Sequence, residues 1–428
     1  MSRRAAPPSE EGVPPSDDVP VPSGATGRPA PVPSHGPPGR LRGTPLELLE
    51  FPATTVTNPQ FLRFDLGRWD RFFLPPGMAA LCDDRALGTL EMIEDDNRTA
   101  ILPEPVATLD GLPFYLSVKG VGSSLDPFSH RRLDRRYAAE LSEDADVRAR
   151  LSRAGGAESG GIITGELWLR GSPYGGQGLE HAETGLAVCA SADLTNLAGF
   201  RIAPIVKVAF LPSEVERRVR TIHWYRRFPG RLVQELRLVP SNVRVYFHAR
   251  TTLGQSVGHV FDLFGVDSAA RAHRFQVNFV RSTVALLTLF SRTLERDAAP
   301  GRLSGLDFED VWLDKDAVVA PDGTVFFVDL EGIRRTSVER AGVREKADDQ
   351  VYRSLYEFMF AYEQIANESA RRFGEFGNRK RRFESVLVEA LRDDPFARVR
   401  DEPGGVVLET RNPLNDESLY HRFSLVDR

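Results

Sequence analysis

Cysteine is nearly missing from this sequence: Cys82 and Cys189 are the only two in 428 residues. They stand far apart among apolar or small residues. That excludes a cysteine-based metal site and suits a reducing compartment, read here as cytoplasmic. Long hydrophobic runs are missing as well. None approaches the ~20 apolar residues of a membrane-spanning helix, so no membrane partner is expected. Neither sign of charge dominates: 55 Lys and Arg face 60 Asp and Glu, for a formal net charge of -5. Mixed in this way, the charges argue against nucleic acid as a main partner. Arg3 and Arg4 precede no apolar stretch, so they do not read as a secretory signal. No segment repeats at a fixed period, which excludes a solenoid or propeller. No G-x-S-x-G elbow occurs, and His181, His223, His248 and His259 lack ligand spacing.

What is present is a 41% hydrophobic content, enough for a sizeable core. Residues 1–43 are Pro, Gly, Ser and charge, and read as a disordered tail. Residues 44–80 are apolar and irregular, and read as an N-terminal extension, a cap or helix, packing on the main domain. Residues 81–250 read as β-rich, with a polar insertion at 125–160. Within them, LGTLEMI, ILPEPVATLDG and LPFYLSVKG alternate as strands, and Asp110-Gly111 marks a hairpin turn. LEHAETGLAVCASAD has helical character, and RIAPIVKVAFLP, RLVQELRLVP and NVRVYFHAR read as further strands. Residues 251–400 read as mainly helical, interrupted by a hairpin formed from VWLD, KDAVVAPDG and TVFFVDLEG. Residues 401–428 form a C-terminal extension without a clear pattern.

Several residues in this order can carry chemistry. Lys119 ends a strand in FYLSVKGVG and alternates correctly to face a cleft; the plainer reading is a lysine facing water. Glu180 and Glu183 lie one turn apart on the following helix, where either could pair with Lys119. Glu183, deeper in the helix, is the preferred partner. Gly175 and Gly176 in GSPYGGQG, beside Arg170, open that helix, and backbone N–H groups there can hold phosphate. The same stretch also reads as a flexible loop. Asp329 ends the apolar run TVFFVD, and a carboxylate at an apolar strand tip needs a cation or a metal. Asp307 and Asp310, in GLDFED, form an acidic cluster before VWLD, able to supply a base or bind metal, or to be a solvated turn.

Taken together, these residues resemble the protein-kinase-like superfamily, and within it the selenoprotein O branch, over about residues 110–360. FYLSVKGVG is similar to that branch's lysine strand. HAETGLAVCASADLTNLAGFRIAPIVKV is similar to its glutamate helix, loop and strand. GLDFEDVWLD is similar to its altered catalytic loop, and VDLEG to the metal-binding Asp region. The resemblance implies an α+β, two-lobed kinase-like fold, with a small β-rich lobe and a mainly helical one. It also implies binding of ATP with Mg2+ or Mn2+, and transfer of AMP or phosphate to a hydroxyl of a protein or small molecule. Lys119 and Glu183 would form the ion pair, and Asp310 and Asp329 would hold metal. This chain departs from the pattern in four places. No G-x-G-x-x-G precedes Lys119, Asp310 replaces the usual Asn, Gly305 falls where a base would stand, and Glu331 takes the third position of the metal-binding triplet. These departures also suit a pseudokinase that acts as a binding or scaffold module. Because the tail holds almost no core-forming side chains, its deletion should leave the thermal unfolding midpoint unchanged. A large drop in a truncated chain would show that it packs on the fold.

Overall fold

The computed structural model describes residues 41, 43, 45–61, 67–74, 86–96, 99–121, 145, 177–190, 199–221, 230–245, 257–308, 313–330, 332–374, 379–403, 405–411 and 418–424. Almost all of the expected tail and insertion lies outside them. The fold is mixed α+β, a large antiparallel sheet with several helices. The segment read as a cap or helix, 44–80, instead contributes strands: β1 (Pro45–Pro52), β2 (Thr55–Thr57) and β3 (Arg71–Leu74). In β1, Leu46 and Leu48 are buried while Glu47 is exposed, the period of two that a strand requires.

β4 (Gly88–Asp96), β5 (Thr99–Leu109) and β6 (Leu112–Lys119) form the expected meander. Asp110 (φ 51°) and Gly111 (φ 77°) make its tight turn in the left-handed region. β7 (Gln177–Gly178), α1 (Leu179–Ala190), β8 (Ile205–Phe210), α2 (Ser213–Val219) and β9 (Leu232–Val239) follow. The hydrogen-bonded order is β2-β8-β9-β6-β5-β4-β1-β3, with β7 on β9. β9 is buried along its whole length.

The sheet curls so that β3, at one end of this order, is tied to strands near the other. The Gln234 side chain of β9 accepts from Phe73 N (2.9 Å) and donates to Phe73 O (2.6 Å) and Gly120 O (2.8 Å). Asp70, just before β3, takes bonds from Lys207 of β8 and Thr55 of β2. Asn58 donates to Ile205 O (3.0 Å) and, through its backbone, to Val206 O (2.9 Å). Leu48, Phe72, Phe73, Ile101, Leu116, Val118 and Leu236 fill the enclosed core.

The chain then becomes mainly helical: α3 (Val257–Phe264), α4 (Ala269–Leu287) and α5 (Leu289–Thr293). Ser268 caps α4 by accepting from Arg271 N. β10 (Glu295–Arg296) and β11 (Arg302–Phe308) come next, then α6 (Leu313–Asp316), β12 (Ala317–Val319), β13 (Val325–Phe327) and β14 (Ile333–Glu339). α7 (Arg340–Phe373) ends at Gly374 in the left-handed region (φ 70°). α8 (Arg379–Leu391) follows it. The C-terminal stretch without a clear pattern is a three-stranded sheet, β15 (Ala397–Glu402), β16 (Gly405–Arg411) and β17 (Ser418–Ser424). Among the described residues no helix is long and apolar enough to cross a membrane.

Three local expectations change. Of NVRVYFHAR only 242–245 is described, and there the chain crosses beside β12 with an isolated bridge between Arg244 and Val318 rather than as a ladder. VWLD does not open the hairpin, because 313–316 is a helical turn and the first strand is β12. LDF of GLDFED is not a turn: it lies in β11, and Asp307 stands opposite Arg334 of β14.

The β12–β13 hairpin is buried on both faces. Ala317, Val319, Val325 and Phe327 face the helical core, where Phe275, Phe279, Phe358 and Tyr362 pack. Val318, Ala320, Phe326 and Val328 face the core of the sheet. Its edges are bonded too: Phe327 exchanges bonds with Arg201 O and Ala203 N, while Val319 N and Val245 N bond Val243 O and Ala317 O. The turn at Gly323 (φ 92°) sits on the backbone of α4, where a Cβ would come 2.1 Å from Phe275 O. Gly323→Ala therefore requires both an unfavourable backbone conformation and a displaced hairpin. It should cost at least ~2 kcal/mol in urea unfolding; a neutral result would show that the turn can lift from α4.

Candidate functional site

Lys119 is the last residue of β6, a strand interior to the sheet order, and its side chain is only 10% exposed. Asp329 lies two residues beyond β13, where the hairpin leaves the wall between the two cores. The two meet: Lys119 Nζ is 2.8 Å from Asp329 Oδ1. Residues 210 positions apart thus form one ion pair, whose acidic member remains 31% exposed. A pair so placed has one fixed, nearly buried partner and one that faces outward. It lies between an exposed pair, worth ~1 kcal/mol or less, and a buried one, whose disruption costs ~3–5 kcal/mol.

The helix expected to supply the lysine's partner does not do so. α1 turns Ala182, Gly185, Val188 and Cys189 inward, which leaves Glu180 and Glu183 exposed. Among the described residues no ion pair joins either glutamate to Lys119. α1 does pack close to the hairpin end. A Cβ on Gly185 would meet Ile205 Cδ1 at 2.5 Å and Leu330 Cβ at 3.8 Å. Cys189 Sγ accepts from Ile205 N at 3.3 Å. Burial pushes its thiol up to about 11, so it remains protonated and unreactive at neutral pH.

Three residues near the pair escaped sequence reading. Glu235 of β9 stands directly across the strand pair from Lys119, and Arg237 stands across from Ser117. Their side chains are 1% and 5% exposed, and Arg237 Nε lies 2.7 Å from Glu235 Oε2. The run RLVQELRLV offers no signal for this, because alternating charge in an apolar strand reads as a solvated face. Asp316 was also missed. It precedes β12, is 5% exposed, and its carbonyl accepts from Val328 N at 2.9 Å. Asp316 and Asp329 therefore stand at the same end of the hairpin. The sequence pattern, with VWLD as the first strand, puts Asp310 before the hairpin; the carboxylate residue that directly precedes its first strand is Asp316.

Of the remaining candidates, Asp310, Arg170, Gly175 and Gly176 lie outside the described residues. Asp307 belongs to β11, in the separate sheet β10-β11-β14. Among the described residues no group of three or more His, Cys, Asp or Glu is gathered to hold a metal ion. Asp316 and Asp329 carry carboxylate oxygens, the donor type that Mg2+ or Mn2+ takes.

The unequal exposure of the pair sets the sign of a stability test. Asp329→Asn removes the anion from a nearly buried ammonium, while Lys119→Met leaves a carboxylate that water can still reach. Asp329→Asn should cost ~2 kcal/mol and Lys119→Met ~1 kcal/mol, with a coupling of ~1 kcal/mol in the double variant. Additive effects in urea unfolding would show that the two charges do not interact. No protein-family model matches the chain, and no curated protein matches it.

Proposed function

We propose that this chain is an ATP- and metal-dependent transferase of the two-lobed, kinase-like type. It moves AMP or phosphate onto a hydroxyl of a protein or small molecule. The observation that carries the proposal is the Lys119–Asp329 ion pair. It joins two residues that the resemblance assigned separately, one to an ion pair with a helix glutamate and one to metal. Strand lysine, following helix and acidic hairpin also occur in the expected order. A lysine in this position suits an anionic phosphate chain, and carboxylates at the hairpin end suit the divalent ion that accompanies it. Asp329 and Asp316 would hold that ion, which neutralises phosphate charge when bound. Lys119 would exchange its carboxylate for a phosphate oxygen, which orients the chain. Catalysis would then come from positioning and charge neutralisation.

A second reading, a pseudokinase that binds without transfer, draws on two observations. Glu183 is exposed rather than paired with Lys119, and the described carboxylates do not assemble into a group of three. Both readings expect nucleotide binding, and they part at transfer.

Thermal unfolding with millimolar ATP, with and without Mn2+ or Mg2+, tests the shared expectation. Ligand at a hundredfold excess over Kd stabilises by ~2.7 kcal/mol. The metal-dependent shift should vanish in Asp329→Asn and shrink in Lys119→Met. ATP labelled at the α or γ phosphate then separates AMP transfer from phosphate transfer, and binding with neither favours the pseudokinase. A wild-type chain as unresponsive as Asp329→Asn would leave the ion pair structural and the proposal wrong.

A further inference from the structure

Glu235, rather than Asp329, is the carboxylate that the sheet itself presents to Lys119. In the antiparallel pairing of β6 with β9, Lys119 lies opposite Glu235, and Ser117 opposite Arg237. Opposed residues project from the same face with Cβ atoms ~5 Å apart, well within reach of a Lys–Glu bond. Yet no ion pair joins Lys119 to Glu235 among the described residues. Glu235 is held by Arg237, with Nε at 2.7 Å and Nη2 also in contact. Lys119 is held by Asp329 instead.

We infer that Arg237 is a positioning residue for Lys119: by occupying the Glu235 carboxylate, it leaves the ammonium for Asp329 and for an anionic ligand that reaches the Asp329 side. The exposures decide why this pairing matters. A lysine tied to Glu235, whose side chain is 1% exposed, would have a partner that neither water nor ligand can displace. Tied to Asp329, which is 31% exposed, it can exchange one anion for another. Arginine suits the task because its planar fork holds one carboxylate through two donors and stays charged at any physiological pH. α1 sets the Cys189 thiol near the same pair, and burial pushes that thiol up to about 11, so it adds no charge at neutral pH. The role rests on the nucleotide proposal only for what Lys119 is positioned to bind.

The test uses the full chain with Arg237→Met, Glu235→Gln and the double variant. Its first readout is independent of nucleotide: the rate at which the Lys119 amine is acetylated by acetic anhydride in the folded protein at pH 8, resolved by mass spectrometry. In Arg237→Met, Glu235 becomes a second anion beside Lys119, and the rate should fall about tenfold, as a tenfold smaller free-amine fraction requires. The double variant should restore it, because the competing carboxylate is gone. Glu235→Gln alone, which leaves the Arg237 cation beside Lys119, should not slow it. The second readout is the affinity for ATP with Mn2+, expected to weaken about tenfold in Arg237→Met and to recover in the double variant. If Arg237→Met alone does not fold, the double variant, which leaves no unpaired charge, still decides. Acetylation faster than wild type in the double variant would mean that Glu235 already holds Lys119 in the wild type, which overturns the inference. A loss in Arg237→Met that the double variant does not rescue, or an unchanged acetylation rate, overturns it as well. Acetylation behaving as stated in a chain that never binds ATP would uphold the positioning and sink the nucleotide proposal.

Discussion

A two-stranded hairpin with both faces buried is the constraint on which the rest of this structure depends. Along β12 and β13 alternate side chains enter different cores, Phe327 against Phe200 on one side and Phe326 against Phe114 on the other. Such a strand cannot slip by one residue without moving every side chain into the wrong core. Its outer backbone groups are also bonded, to 201–203 and to 243–245, the two places where the chain passes beside it. The hairpin therefore fixes the sheet relative to the helices, and with it the point at which Asp329 emerges.

Charge burial follows from that placement. Lys119, Lys207 and Arg237 are each nearly inaccessible, and each finds a carboxylate: Asp329, Asp70 and Glu235. Leaving any of them unpaired would carry a desolvation penalty of several kcal/mol. The pairs differ in purpose because they differ in exposure. Glu235–Arg237 is closed on both sides. Lys207–Asp70 ties the N-terminal strands to the sheet; although burial pushes the Asp70 carboxyl up, hydrogen bonds from Lys207 and Thr55 hold it below the ordinary range. Lys119–Asp329 has a nearly buried cation and a reachable anion, the arrangement that suits exchange with a ligand.

The sites that the sequence misplaced share a cause. Glu183 satisfies the helix pattern, but a helix of twelve residues can turn only one face inward, and Ala182, Gly185 and Cys189 claim it. Asp316 goes unnoticed because VWLDKD, with three apolar residues before its charges, has enough apolar character to mimic a strand. Residues 313–316 form a single helical turn instead. GLDFED likewise looks like an acidic loop until β14 pairs with its first four residues, 305–308. In each case the local signal was weaker than a tertiary contact formed far along the chain.

Short apolar runs broken by turns by themselves marked the meander 88–119, and Asp110-Gly111 marked its turn, since a left-handed pair of residues is a local requirement. The helical character of 179–190 and 269–287, the hairpin ending at Asp329 and the position of Lys119 at a strand end were equally local. What the tertiary structure alone decided was pairing. The pairing of β2 with β8 and of β6 with β9, the closure of β3 onto Gln234, and the choice of Asp329 rather than a helix glutamate for Lys119 all join residues a hundred or more positions apart. No local pattern specifies which carboxylate an ammonium will meet. That depends on which faces are already taken when the two cores close on either side of one hairpin.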